Sequence, residues 1–138
     1  MKKKIGLVLK LWLPVVFWCW LIFYFSSIPN LKTSANPFWD EIFRSLAHFV
    51  MYGLLFAFLF RALNFRIKKQ NFLLALWLGL LYGLSDEIHQ AFVPLRTFQI
   101  RDLLVDFSGV TLGGLIIWKL SPKAPLKLKN WAKKWGVI

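Results

Sequence analysis

The chain has 138 residues, 58% of them hydrophobic, and a formal net charge of +12. That is enough for one compact unit, and it is more apolar than the roughly half-apolar norm of soluble domains. Its positive charge flanks apolar runs, which favours membrane topology over nucleic-acid binding, and its single cysteine, Cys19, excludes an internal disulfide or a thiolate metal cluster within one chain.

A helix that crosses a bilayer needs about 20 mostly apolar residues, and four stretches qualify. The first, residues 5–27, is broken only by Lys10 and carries Pro14, a candidate bend. Its basic head imitates a signal peptide, but the apolar run is too long and no small-x-small cleavage site follows closely. It is therefore expected to be a retained anchor. The second is residues 46–63, the third residues 72–92 and the fourth residues 103–120. The expected fold class is all-α: a polytopic four-helix transmembrane domain over residues 1–120, then a basic tail over residues 121–138. In that tail Ala124, Leu128, Trp131, Ala132, Trp135 and Ile138 share a helical face, away from Lys127, Lys129, Lys133 and Lys134. A short amphipathic helix on anionic lipid fits the pattern; so does a plain basic tail that only enforces orientation.

Charge sets the expected orientation. With the N-terminus inside, the inner segments hold Lys2, Lys3, Lys4, Lys10, Arg61, Arg66, Lys68, Lys69, Lys119, Lys123, Lys127, Lys129, Lys133 and Lys134, and no acid. The outer segments hold Lys32, Arg44, Arg96 and Arg101 together with every acid of the chain: Asp40, Glu41, Asp86, Glu87, Asp102 and Asp106. Both termini are thus expected on the cytoplasmic side, with the first and third loops outside. Trp12 and Trp118 fall near the inner ends of their spans, where aromatic belts form.

The same orientation carries three sets of polar residues to one depth. Arg44, His48 and Tyr52 are spaced i, i+4, i+8 and lie within about 80° of one another on a helix. Asp86, Glu87, His89 and Gln90 end the third span; Asp102 and Asp106 begin the fourth. Gly79 and Gly83 are in line with Asp86 and Gln90, while Gly109 and Gly113 are in line with Asp102 and Asp106. Small-xxx-small stripes allow close approach, so the third and fourth spans are expected to meet through these glycines and bring their acids together. A charged acid at the bilayer centre costs about 2.5–3.5 kcal/mol on insertion scales, which clustering near cations at the interface reduces.

Several chemistries fit that inventory. Carboxylates and imidazole bind divalent cations, and Asp86 with His89 (i, i+3) can share one ion if His48 joins from the second span; which metal, if any, the pattern leaves open. A crowded carboxylate also works as an acid or base, which makes Asp86, Glu87, His89 and Asp102 the candidate acid–base cluster. Arg44 and Arg96 suit an anion such as a lipid phosphate, with His48, Tyr52, Gln90 and Asp106 completing a binding floor. No P-loop, dinucleotide fingerprint or convincing serine or cysteine nucleophile is present. Against all of these stands a polar knot that merely locks the helices together.

Four segments, "FYFSSIP" (23–29), "RSLAHFVMYGLL" (44–55), "SDEIHQAFVPLR" (85–96) and "RDLLVDFSGVTLGG" (101–114), together resemble the VanZ-like family of bacterial membrane proteins. Three positions depart from the family pattern: Arg44 stands for a lysine, Asp106 for an asparagine, and Leu95 for a glycine, which is expected to stiffen its turn. The resemblance implies a link to resistance against teicoplanin, a lipid-bearing glycopeptide, and gives no reaction. It points to membrane lipids, a lipid-linked cell-wall precursor or a lipoglycopeptide antibiotic as partners. An outer-leaflet site that binds or modifies such a ligand is the leading expectation. A non-enzymatic scaffold is the alternative, and an ion conductor fits less well because the charges gather on one side.

Overall fold

The structure, a computed structural model, describes residues 2–29, 31, 32, 34–63 and 69–120. It is all-helical over these residues: α1 (Lys2–Ser26), α2 (Pro37–Ala62), α3 (Lys69–Gln90) and α4 (Ile100–Leu120). The all-α expectation holds. The amphipathic segment expected in residues 121–138 lies outside the described residues.

α2 begins well before the apolar run that announced it. Asn36 caps it, its side-chain oxygen accepting from the Phe38 N–H at 3.0 Å, and Pro37 occupies the first turn, where its missing N–H costs nothing. Asp40 adds negative charge at that N-terminus and accepts from the Ser34 N–H at 3.1 Å. The extra turns carry Phe38, Trp39 and Phe43, exposed rings that suit a membrane–water boundary.

α1, α2 and α3 are each long and apolar enough to cross a membrane. Within their most apolar windows only 17%, 22% and 28% of residues are buried inside the protein, so most of that apolar surface is left outside the bundle, as in helices that face lipid. α4 has 21 residues, about 31 Å of helix, which matches a hydrocarbon core. It packs along α2 and α3.

The helices run up, down, up, down. Trp18 Nε1 donates to the Met51 carbonyl at 2.9 Å and Tyr82 Oη to the Cys19 carbonyl at 2.6 Å, fixing α1 against α2 and α3. The tightest pair is α2 with α4, which run parallel. A Cβ at Gly113 would sit 2.9 Å from the Gly53 Cα, and one at Gly109 would collide with the Phe49 carbonyl. Gly79 and Gly83 turn toward Val110 and Asp106 of α4 instead. The expected meeting of α3 and α4 is therefore made with the glycines of α3 alone; those of α4 serve α2. Below this contact Tyr52, Leu55, Phe56, Phe60 and Val110 form the apolar core, and Phe56, Phe60, Phe72 and Trp118 pack ring against ring.

Candidate functional site

The polar site lies at the end of the bundle where α1 leads into α2 and α3 into α4. Asp86, Glu87, Asp102 and Asp106 are all buried there, with Glu87 and Asp106 at 0% exposure. They sit at helix ends and not mid-span because the helices bury their acids against one another, within reach of the loop cations.

His48 of α2 and Asp106 of α4 face each other directly, Nδ1 to Oδ1 at 2.9 Å. Their approach follows from the glycine contact one turn deeper, which holds α2 and α4 together. Tyr52 stacks beneath His48 with ring centroids 6.4 Å apart. From α3, Glu87 accepts the Gln99 N–H on Oε2 at 3.1 Å and comes close enough to group with His48 and Asp106. One donor atom from each of these three lies within 4.8 Å of the others. Asp86 accepts from Gln90 Nε2 at 3.0 Å. Asp86 Oδ1, Glu87 Oε1, Asp106 Oδ2 and the Tyr52 hydroxyl are buried without a hydrogen-bond partner among the described residues, an unusual concentration of unmet polar atoms.

The loop after α3 is folded back over the site. Leu95 has φ 64°, the left-handed region that glycine adopts freely and a branched residue rarely does. This turn delivers Arg96, whose Nη1 donates to Gln90 Oε1 at 2.9 Å, Nε to the Ile28 carbonyl at 3.1 Å and Nη2 to the Phe25 carbonyl at 3.2 Å. Arg96 thereby caps the C-terminal end of α1, where a cation is favoured. Burial, and next the charge of Arg44, pull its guanidinium below its ordinary pKa, while Asp86, Glu87 and Asp102 push it back.

Arg44 behaves differently. Its Nε is buried without a hydrogen-bond partner among the described residues. It stands on the wall between two cavities. One, of about 350 Å³, is lined mainly by apolar groups from Ile22, Phe25, Leu31, Ala47 and Met51, with Ser26, Arg44, His48, Tyr52, Asp86, Gln90 and Arg96 on its polar side. The other, of about 110 Å³, is polar, with Lys32, Asp40, Arg44, Gln90, Arg96, Thr97, Gln99 and Asp102 among its lining residues. Arg44, Gln90, Arg96 and Leu31 belong to both.

Of the ten residues singled out in the sequence, nine converge here. His89 is the exception. It faces α1, with Nε2 3.0 Å from Ser27 Oγ and its ring stacked on Phe23 at 4.4 Å. Arg101 likewise stays at the rim, paired with Glu41 and donating to Ser45 Oγ at 2.8 Å. The reading of the sequence missed the backbone N–H of Gln99, which helical spacing cannot reveal, and Ser26 and Ser27, which stand inside "FYFSSIP" next to the site.

No curated protein and no solved structure gave a match. A sequence model of the VanZ/LLP1 family matches residues 11–121, from the first turns of α1 to the end of α4.

Proposed function

Because the chain belongs to the VanZ/LLP1 family, a family of membrane proteins, we propose that it carries an outer-leaflet site for an anionic amphiphile, an envelope lipid or a lipid-bearing ligand. One observation carries this reading. An apolar cavity of about 350 Å³ opens beside a polar one of about 110 Å³, with Arg44, whose Nε has no hydrogen-bond partner among the described residues, and the adjacent Arg96 at their junction. Such a shape suits a molecule with an acyl portion and a charged head. The larger volume lies at the lower end of the roughly 300–1,000 Å³ typical of ligand pockets. Two guanidiniums at one spot suit phosphate or carboxylate better than any neutral head group. Asp86, Glu87 and Asp102, held close by, are the groups that would handle protons if the ligand is modified as well as bound. Capture of the acyl-bearing drug, or alteration of the lipid it meets, would account for the teicoplanin resistance that the family resemblance implies.

The alternative, a scaffold whose polar cluster is structural, draws support from Arg96, three of whose donors are spent on protein oxygens. Arg44 separates the two readings. Native mass spectrometry of the protein released from membranes is expected to show a retained anionic amphiphile. Arg44→Gln should lose it at least tenfold, a change of about 1.4 kcal/mol in binding. Equal retention by both proteins would reject the site. Lipid extracts of cells with and without the gene then separate modification, which creates or removes a species, from simple binding.

A further inference from the structure

We propose that His48, Glu87 and Asp106 form a binding site for one divalent transition cation of the Zn²⁺ or Mn²⁺ class. The sequence suggested Asp86 with His89 as the pair to share an ion, but the fold separates them: His89 turns to Ser27 and Phe23. It gathers a different trio, one residue from each of α2, α3 and α4, with donor atoms within 4.8 Å of one another. Ligands about 2.1 Å from a metal stand about 3–3.5 Å apart when adjacent. His48 Nδ1 and Asp106 Oδ1, hydrogen-bonded at 2.9 Å, are slightly closer than that, so an ion would take the place of the proton between them with a small opening of the pair. Small rotations of the side chains bring in the third donor.

Two further observations point to a bound cation. Glu87 and Asp106 are fully buried, yet Glu87 Oε1 and Asp106 Oδ2 each lack a hydrogen-bond partner among the described residues. A buried carboxylate oxygen left without a donor is costly, and a metal ion satisfies it. Charge gives the same answer. Asp86, Glu87, Asp102 and Asp106 are buried within one chamber; of the other charged groups lining its cavities, Arg44 and Arg96 are positive, and Lys32 is offset in the count by Asp40. With His48 neutral, as a metal ligand must be, two negative charges remain uncompensated. A divalent cation restores neutrality; otherwise protons must do so. One imidazole nitrogen with carboxylate oxygens suits Zn²⁺ or Mn²⁺ better than a soft, thiolate-seeking ion.

This inference does not need the lipid reading: a protein that binds metal but no amphiphile keeps the one and loses the other. The test uses the full chain, purified through a tag without histidine, so that His48 and His89 are its only imidazoles. Elemental analysis and titration with Mn²⁺ or Zn²⁺ are expected to give about one ion per chain, and the preferred ion follows from competition between them. Pulsed electron paramagnetic resonance of the Mn²⁺ form should show coupling to one imidazole nitrogen. That coupling should persist in His89→Gln and vanish in His48→Gln, and Asp106→Asn should weaken binding at least tenfold. If His48→Gln fails to fold, persistence of the coupling in His89→Gln still assigns it to His48. Binding well below one ion per chain, absence of nitrogen coupling, or its loss in His89→Gln would overturn the site.

Discussion

Leu95 shows at the residue scale how the site is held in place. Its φ of 64° is strained for a branched side chain, and the side chain itself is 82% exposed, so little burial rewards the strain. What the turn achieves is the return of Arg96 to the end of α1. A left-handed residue other than glycine costs roughly 1–2 kcal/mol, partly offset by the greater freedom glycine brings to the unfolded chain. Leu95→Gly is therefore expected to raise stability by about 0.5–1 kcal/mol, read as a higher thermal midpoint in detergent. A lower midpoint would mean that Leu95 makes a stabilising contact of its own. Strain of this kind was only half legible in the sequence: the family pattern marked Leu95 as out of place, but the φ angle and the bonds of Arg96 depend on where the loop lands.

Between elements, the glycines decide the spacing. A Cβ at Gly109 meets the backbone of Phe49, which cannot swing aside as a side chain can, whereas one at Gly6 meets nothing within 4 Å. Gly109→Ala should force α2 and α4 apart and destabilise the protein by about 1–3 kcal/mol. Gly6→Ala should be neutral or slightly stabilising, because alanine is the better helix former. Thermal midpoints of the two variants, measured side by side, check this; equal values would show that α2 and α4 do not approach so closely. The periodicity of α4 correctly aligned Gly109 and Gly113 with Asp106, yet it assigned them to the wrong neighbour. A helical stripe defines a face but not the helix that occupies it. For the same reason His89 was grouped with Asp86 through i, i+3 spacing, although the two residues address different helices. The early start of α2 was hidden because hydropathy registers lipid-facing turns, while its true beginning is set by Asn36 and Pro37.

For the whole molecule, the legible part was the number of long helices and the end of the bundle at which their polar residues meet, since both follow from length and the spacing of polar residues along apolar runs. Orientation rests on the one-sided distribution of lysine and arginine, and it is the premise that puts the cavities toward cell-wall chemistry. A single reporter tests it. In a Cys19→Ala background, Thr97→Cys introduces a lone thiol at an exposed position of the α3–α4 loop. A membrane-impermeant maleimide is expected to label it on intact cells. Labelling only after lysis would place the loop in the cytoplasm and remove the outward-facing site.

The order of the helices has a consequence for biogenesis. Asp106 leaves the ribosome after α1, α2 and α3 have been made, and α4 supplies the partner of His48 and the glycines that α2 packs against. A chain arrested after α3 would hold Asp86 and Glu87 at the membrane with the chamber still open on one side. Truncated or slowly inserted copies would therefore present unquenched acidity within the bilayer, a mark by which proteolytic surveillance can tell them from finished protein.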